Sequence, residues 1–211
     1  MSKFSAKEAF KFGWATVKAN VWFFIALFAA VILIYIGFDR LAAITKEDTI
    51  SSTVVGLASW ILQILISIGL IRVPLKFIDG QKAEFGDLVT GGKWFFKYFA
   101  GSLLYMLIVL GGLILLVVPG VIWAVRFQFF GYLIIDRGLG PVEALKKSWA
   151  ITKGSFWDLI IFSVLLALVN ALGVLALVVG TLITAPISLL AMAFVYRKLL
   201  SSATPAPAIT A

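Results

Sequence analysis

A single arginine lies inside a long apolar run near the middle of the chain. Residues 117–136 read VVPGVIWAVRFQFFGYLIID, and Arg126 is the one charged side chain before the final aspartate. A permanent cation in such a segment needs a partner, water or a phosphate group, because burying it unpaired is costly. Uncharged polar side chains occur beside it and in other apolar runs. We therefore expect a site for an anionic headgroup or solute built from Arg126, Asn170, Gln128 and Gln63.

Helix geometry suggests where this site would open. Pro119-Gly120 is expected to turn the chain on the external side, which places Arg126 about 7–8 Å below that turn. Helical side chains lean toward their own N-terminus, so the guanidinium would reach outward. Asn170 is expected at a similar depth. The alternative is that Arg126 snorkels, or binds backbone carbonyls and Asn170, and simply fixes helix packing.

The residues that usually carry catalysis are missing. The chain has no cysteine and no histidine, which excludes thiolate and imidazole chemistry. Its few acids are scattered, and we expect them to cap helices or to pair with nearby lysines. The sequence therefore predicts no enzymatic activity, no cofactor and no metal.

Composition and patterning predict an all-α polytopic membrane protein. Of the 211 residues, 62% are hydrophobic and 13% are charged, and the apolar residues form stretches long enough to cross a bilayer. Six spans are expected, with a turn near Gly173–Gly180 dividing the last 45-residue stretch. Pro74 is expected to end the second span, and Pro186 to kink the sixth. One domain covers 1–200, and 201–211 is expected to be a disordered tail.

The charge distribution predicts the orientation. The net charge is +8, and six spans put 15 of the 18 lysines and arginines on one side. Such a bias marks the cytoplasmic side of membrane proteins and does not indicate nucleic acid. We expect the cytoplasmic (inner) membrane of a prokaryote, with both termini in the cytoplasm.

Two segments of the sequence repeat. EAFKFGWATVKANVW (8–22) and EALKKSWAITKGSFW (143–157) share seven of fifteen residues at an offset of 135. Each predicts an amphipathic helix in the headgroup layer, and 85–99 holds the equivalent place before the third span. We expect three repeats, approximately 4–72, 75–136 and 141–200, each an interfacial helix plus a transmembrane hairpin. Basic, aromatic juxtamembrane helices without any repeat are the alternative. The expected contacts to anionic inner-leaflet lipid are Trp14, Lys11, Lys18, Trp149, Lys146 and Lys153.

The second half of the chain carries a recognisable signature. It consists of a Pro-Gly pair, an aromatic, a mid-span arginine, an acid, a G-P-x-x-A-L-x-x-S helix and a K-G-x-F-W motif. These are Pro119, Gly120, Trp123, Arg126, Asp136, Gly140, Pro141, Ala144, Leu145, Ser148, Lys153, Gly154, Phe156 and Trp157. The pattern resembles a broad group of prokaryotic membrane proteins of unknown function, related to the membrane domain of glycerophosphoryl diester phosphodiesterase. The resemblance covers about 75–200 well and implies the fold, without phosphodiesterase activity.

Two functions remain open from the sequence. The first is a non-enzymatic membrane protein that organises lipids or an unidentified membrane or cytoplasmic protein partner. The second is a small transporter or channel for an anionic or amphiphilic solute. Intramembrane acids, on which ion-coupled transport usually depends, are absent from the spans, which favours the first function.

Overall fold

The computed structural model describes residues 3–203, and the side chains of all of these except 177–179. Within that range the fold is all-α, as the sequence predicts, and contains no strand. Two short 3₁₀ helices, Phe85–Leu88 and Gly92–Trp94, precede the fourth α-helix. The α-helices are α1 Ala6–Ala19, α2 Val21–Ile44, α3 Thr49–Ile78, α4 Phe95–Leu115, α5 Val117–Phe127, α6 Phe130–Arg137, α7 Pro141–Thr152, α8 Phe156–Leu175 and α9 Leu177–Ala203.

Within residues 3–203, six helical segments are long and apolar enough to cross a membrane, which confirms the expected number of spans. The fourth consists of α5 and α6 together. These segments are Val21–Ile44, Thr49–Ile78, Phe85–Leu115, Val117–Arg137, Phe156–Leu175 and Gly180–Ala203.

The prolines do not end the spans where the sequence predicts. The reversal after α4 occurs at Leu116, which is extended, and Pro119 lies in the first turn of α5. A proline is tolerated there because the first N–H groups of a helix have no partner within it. Pro74 lies inside α3, which continues to Ile78. The last two spans separate at Ala176, within the expected turn region, and α9 continues through Pro186.

The helices α1 and α7 pack lengthwise on the bundle, through small side chains. The buried face of α1 includes Ala9, Gly13 and Val17, and it lies on α9. A side-chain carbon added at Gly13 would stand 2.7 Å from the Ile187 carbonyl oxygen, so only glycine permits this approach. The residues 135 positions later, Ala144, Ser148 and Thr152, are likewise buried, where α7 lies on α6.

The segment before α4 does not form the amphipathic helix that the repeat predicts. Its 3₁₀ turn at Phe85–Leu88 packs on α3, with the Leu88 backbone against Gly69. Three glycines between residues 86 and 92 explain the short elements, because glycine disfavours a continuous helix.

The second spans of the three expected units finish close together. Arg197, near the end of α9, bonds the carboxylates of Asp79 and Asp136, which lie at the ends of α3 and α6. We call the end of the bundle where Arg197, Asp79 and Asp136 meet the basic end, because the sequence predicts that most lysines and arginines lie on this side. Residues 201–203, expected in a disordered tail, belong to α9, and the rest of that predicted tail lies outside the described residues.

Candidate functional site

Arg126 lies against the junction between α7 and α8. Its Nη1 donates to the Thr152 carbonyl oxygen over 2.9 Å. The guanidinium carbon is 5.2 Å from the centre of the Trp149 ring and 5.5 Å from that of Phe156. These are distances at which an arginine is attracted to an aromatic face. Arg126 Nε is buried and has no hydrogen-bond partner within the described residues.

This position follows from a break in the fourth span. Helix α5 ends at Phe127 and α6 begins at Phe130, so some backbone groups between them lack helical partners. The fully buried Ser148 of α7 satisfies two of them: its hydroxyl donates to Arg126 O over 2.9 Å and accepts from Phe129 N–H over 3.1 Å. Because α7 folds back along α6 to make these bonds, its C-terminal end faces the Arg126 side chain.

The junction lies on the side of the basic end. Helix α8 is antiparallel to α9, since Asn170 Nδ2 donates to Ser188 Oγ and Gly173 contacts Thr184. Helix α9 finishes at the basic end, so α8 begins there. Arg126 therefore faces the start of α8, whereas its position along the helix predicts that it reaches toward the opposite surface.

The four residues of the expected pocket do not come together. Asn170 lies 14 residues beyond Phe156, which is about 21 Å along α8, and its amide bonds Leu166 O and Ser188. Gln128 bonds the nearby Val125 carbonyl. Gln63 lines a small cavity between α2 and α3 with Tyr35. Among these four residues, only Arg126 has a buried donor without a hydrogen-bond partner in the described chain.

The six residues expected to contact lipid are all exposed. On α1 these are Trp14, which is 55% exposed, with Lys11 and Lys18. On the second repeat segment Trp149 is 38% exposed, and Lys146 and Lys153 are exposed too. The tryptophans and lysines lie off the small-residue faces that dock the helices onto the bundle.

A network of ion pairs lies at the basic end. Arg197 donates to both oxygens of Asp79, over 3.0 and 2.6 Å, and to both oxygens of Asp136, over 2.7 and 2.8 Å. Tyr196 Oη adds a hydrogen bond of 2.8 Å to Asp136, and the exposed Arg137 pairs with the same carboxylate. Two-oxygen contacts of this kind hold a guanidinium in one orientation.

A second ionic group lies where the 3₁₀ turn meets α3. The buried Asp87 accepts from Lys76 Nζ over 2.7 Å and pairs with Arg72 over 3.2 Å. Arg72 also bonds Thr90 and lies 5.0 Å from the centre of the Trp94 ring. A cavity of about 150 Å³ separates this group from the Arg197 network. Another, of about 410 Å³, lies beside α7 and is lined by Leu133, Arg137, Leu139, Glu143, Lys147 and Leu200.

Sequence reasoning missed both networks because it treated the acids as scattered. A signal was present: the second span of each expected unit finishes on a charged residue, in FIDG (77–80), IIDRG (134–138) and VYRK (195–198). Two are acids and one is a base. If the units were arranged around one axis, these charges would have to meet.

The helical architecture is that of a multi-pass membrane protein. A family model described as a domain of unknown function (DUF7847) matches residues 11–211, and the chain belongs to that family. No curated protein matches the chain, and no solved structure does.

Proposed function

We propose that the protein is a non-enzymatic component of the cytoplasmic membrane that organises anionic lipids of the inner leaflet. The main support is that α1 and α7 expose the same kinds of side chain. Both dock on the bundle through small buried residues and leave a tryptophan flanked by lysines uncovered. A tryptophan seats in the headgroup region, and each nearby lysine attracts anionic lipid. A protein partner recruited to the same surface is compatible with this function.

Three units around a common axis would account for these two surfaces. Helix α1 lies on α9, the 3₁₀ turn lies on α3, and α7 lies on α6. Each interfacial segment thus packs on the second span of the preceding unit, with the first unit following the third. Asp79, Asp136 and Arg197 lie at or near the ends of these spans, where their side chains meet. This cyclic pattern supports the proposed threefold repeat.

The lipid function is tested by neutralising the two exposed surfaces. We expect replacement of Lys11, Lys18, Lys146 and Lys153 by glutamine to reduce the phosphatidylglycerol that remains bound after purification. The control replaces Arg40 and Lys46, near the other end of α2, in the same way. Native mass spectrometry counts the lipids on each variant. Equal phosphatidylglycerol on wild type, test variant and control would remove the support for this function.

The proposed orientation can be measured with cysteine labelling. Because the sequence contains no cysteine, Lys46→Cys and Lys82→Cys each introduce a single thiol. A membrane-impermeant maleimide applied to intact cells should label position 46 and leave position 82 unlabelled. The reverse pattern would place the basic end outside and would contradict an inner-leaflet function.

Transport remains the alternative that the sequence left open. The described part of the bundle favours the lipid function, because large side chains fill its core where α6 meets α9. Phe129, Leu133 and Tyr196 are all buried there. Uptake of an anionic solute into vesicles containing the purified protein would favour transport instead.

A further inference from the structure

The start of α8 has donors that no group of the described chain satisfies. Ser155 occupies the N-cap position but makes no side-chain bond to the helix. The first helical bond here runs from Leu159 N–H to Ser155 O. The N–H groups of Phe156, Trp157 and Asp158 have no partner within the described residues, and such groups attract anions.

Two buried side-chain atoms independently point to a missing ligand at this place. Ser155 is only 1% exposed, yet its hydroxyl oxygen has no hydrogen-bond partner in the described chain. Arg126 Nε is buried and equally unsatisfied. The two residues are neighbours, because Arg126 Nη1 and Ser155 N–H donate to the same acceptor, the Thr152 carbonyl oxygen. Unsatisfied buried polar groups are rare, and a bound group is one explanation.

The charge around the junction favours an anion. Lys3 Nζ donates to the Lys153 carbonyl oxygen over 2.7 Å, so its ammonium lies at the turn between α7 and α8. Lys153 and Arg126 carry two further positive charges. Asp158, in the first turn of α8, carries the opposing negative charge. The three cations outnumber it, and the helix start adds partial positive charge.

The surroundings indicate a lipid as the source of the anion. Trp157, next to the unsatisfied N–H groups, is 72% exposed, and Trp149 beside Arg126 is partly exposed. Indole rings favour the headgroup region, where lipid phosphates lie. The junction also lies on the side of the basic end, so the lipid would come from the leaflet at that end.

We propose that the α7–α8 junction binds the phosphate of an anionic membrane lipid, with Arg126, Ser155 and the first N–H groups of α8 as its donors. This inference deepens the proposed function and rests on it: the exposed lysines collect anionic lipid, and the junction holds one molecule of it in a fixed position. A phosphate has several acceptor oxygens, enough for the Arg126 guanidinium, the Ser155 hydroxyl and the helix start together.

Ser155→Ala tests the site without disturbing the fold, because the hydroxyl makes no bond that the protein would lose. We expect the variant to unfold at the wild-type temperature in lipid-free detergent and to bind phosphatidylglycerol about tenfold more weakly. That corresponds to losing one hydrogen bond to a charged group. Binding is measured by native mass spectrometry during titration with short-chain phosphatidylglycerol. Arg126→Gln should weaken binding further.

Thr184→Val provides a matched control. Thr184 Oγ1 is also buried without a partner in the described chain. Thr184 belongs to α9 and contacts Gly173, near the end of α8 that is far from Ser155. We expect this variant to bind phosphatidylglycerol as wild type does. Equal affinity in Ser155→Ala, Thr184→Val and wild type would overturn the site. If the four-lysine variant had meanwhile lost lipid, the proposed function would stand without this site.

Inorganic phosphate distinguishes a lipid from a soluble ligand. With a lipid phosphate as ligand, phosphatidylglycerol should raise the unfolding temperature of wild type more than that of Ser155→Ala. Inorganic phosphate should change the unfolding temperatures of the two proteins equally. If inorganic phosphate raises that of wild type more than that of Ser155→Ala, and phosphatidylglycerol does not, the lipid assignment is wrong.

Discussion

Arg197 and Arg126 are both half-buried, but the protein satisfies them very differently. Arg197 makes four hydrogen bonds to two carboxylates that come from different parts of the chain. Arg126 makes one bond, to a backbone carbonyl, and otherwise faces two aromatic rings. The protein uses four of the five N–H donors of Arg197, whereas it uses one of those of Arg126.

The difference lies in how many donors each arginine still has available. A guanidinium with four of its five donors bonded has little to offer a ligand, and removing Arg197 would take four hydrogen bonds from two carboxylates. An incompletely bonded one contributes less to stability but can receive an anion from outside the chain. The two residues therefore predict opposite responses to substitution.

The largest effect is expected for Arg197→Ala. The variant leaves Asp79 without a cation in the described chain and Asp136 with the exposed Arg137 alone, and we expect it to lose about 3–5 kcal/mol of stability. Thermal unfolding in detergent, followed by circular dichroism, measures the loss. Arg137→Ala is the control, because Arg137 pairs with the same Asp136 from an exposed position. Equal loss in both variants would mean that the network contributes no more than a surface ion pair.

A smaller effect is expected for Ser148→Ala, which removes the hydroxyl bridging Arg126 O and Phe129 N–H. The buried Phe129 N–H loses its partner, and the Arg126 carbonyl keeps only the longer bond of 3.3 Å from the Thr152 hydroxyl, so the expected cost is about 1–3 kcal/mol. Ser155→Ala is the comparison within the same buried region, and its stability should not change. If the two serine variants unfold at the same temperature, the distinction between bonded and unbonded hydroxyls at this junction is wrong.

Arg126→Met should cost less than Ser148→Ala. Methionine keeps an apolar stem against Trp149 and Phe156 and removes a charge whose burial is only partly compensated. We expect a change within about 1 kcal/mol, together with weaker binding of phosphatidylglycerol. Stability and lipid binding are measured on the same preparation. A loss as large as that of Arg197→Ala would make Arg126 a structural residue of the same kind.

The smallest effect concerns Asp48, an exposed carboxylate outside the spans. It caps α3, and hydrogen bonds from the Ser51 hydroxyl and then from the Ile50 and Ser51 N–H groups lower its pKa. A lowered pKa means that the stabilisation is present above the unfolded value of about 3.8 and is lost as the pH falls through the folded value. Asp48→Asn, which still caps the helix, should show a flatter decline of unfolding temperature below pH 4.

The sequence predicts the spans well because their signal is local. Runs of apolar residues show which helices are long enough to cross a membrane. That the segments repeated at an offset of 135 belong to equivalent units stays a prediction. The breaks are less predictable. Pro74 and Pro119 are typical of helix ends. However, Pro74 lies inside α3, where tertiary packing holds the helix together, and Pro119 lies in the first turn of α5, where proline is tolerated.

The site is only partly predictable from sequence. The cost of burying a cation directs attention to Arg126, but depth along one helix cannot show that α7 folds back to meet it. Ser148 and Ser155 look alike in the sequence, and only the fold distinguishes the bonded hydroxyl from the unbonded one. Partners 61 and 118 residues apart, as in the Arg197 network, leave no local pattern.

The separation of 118 residues between Asp79 and Arg197 has a consequence for biosynthesis. At about 5–20 residues per second, the ribosome adds Arg197 roughly 6–24 s after Asp79. Throughout that interval Asp79 lacks the cation that it pairs with in the finished fold. Asp136 is added partway through the interval and has Arg137 beside it. Ribosomes stalled before codon 197 should therefore yield chains that the cell's membrane proteases degrade quickly.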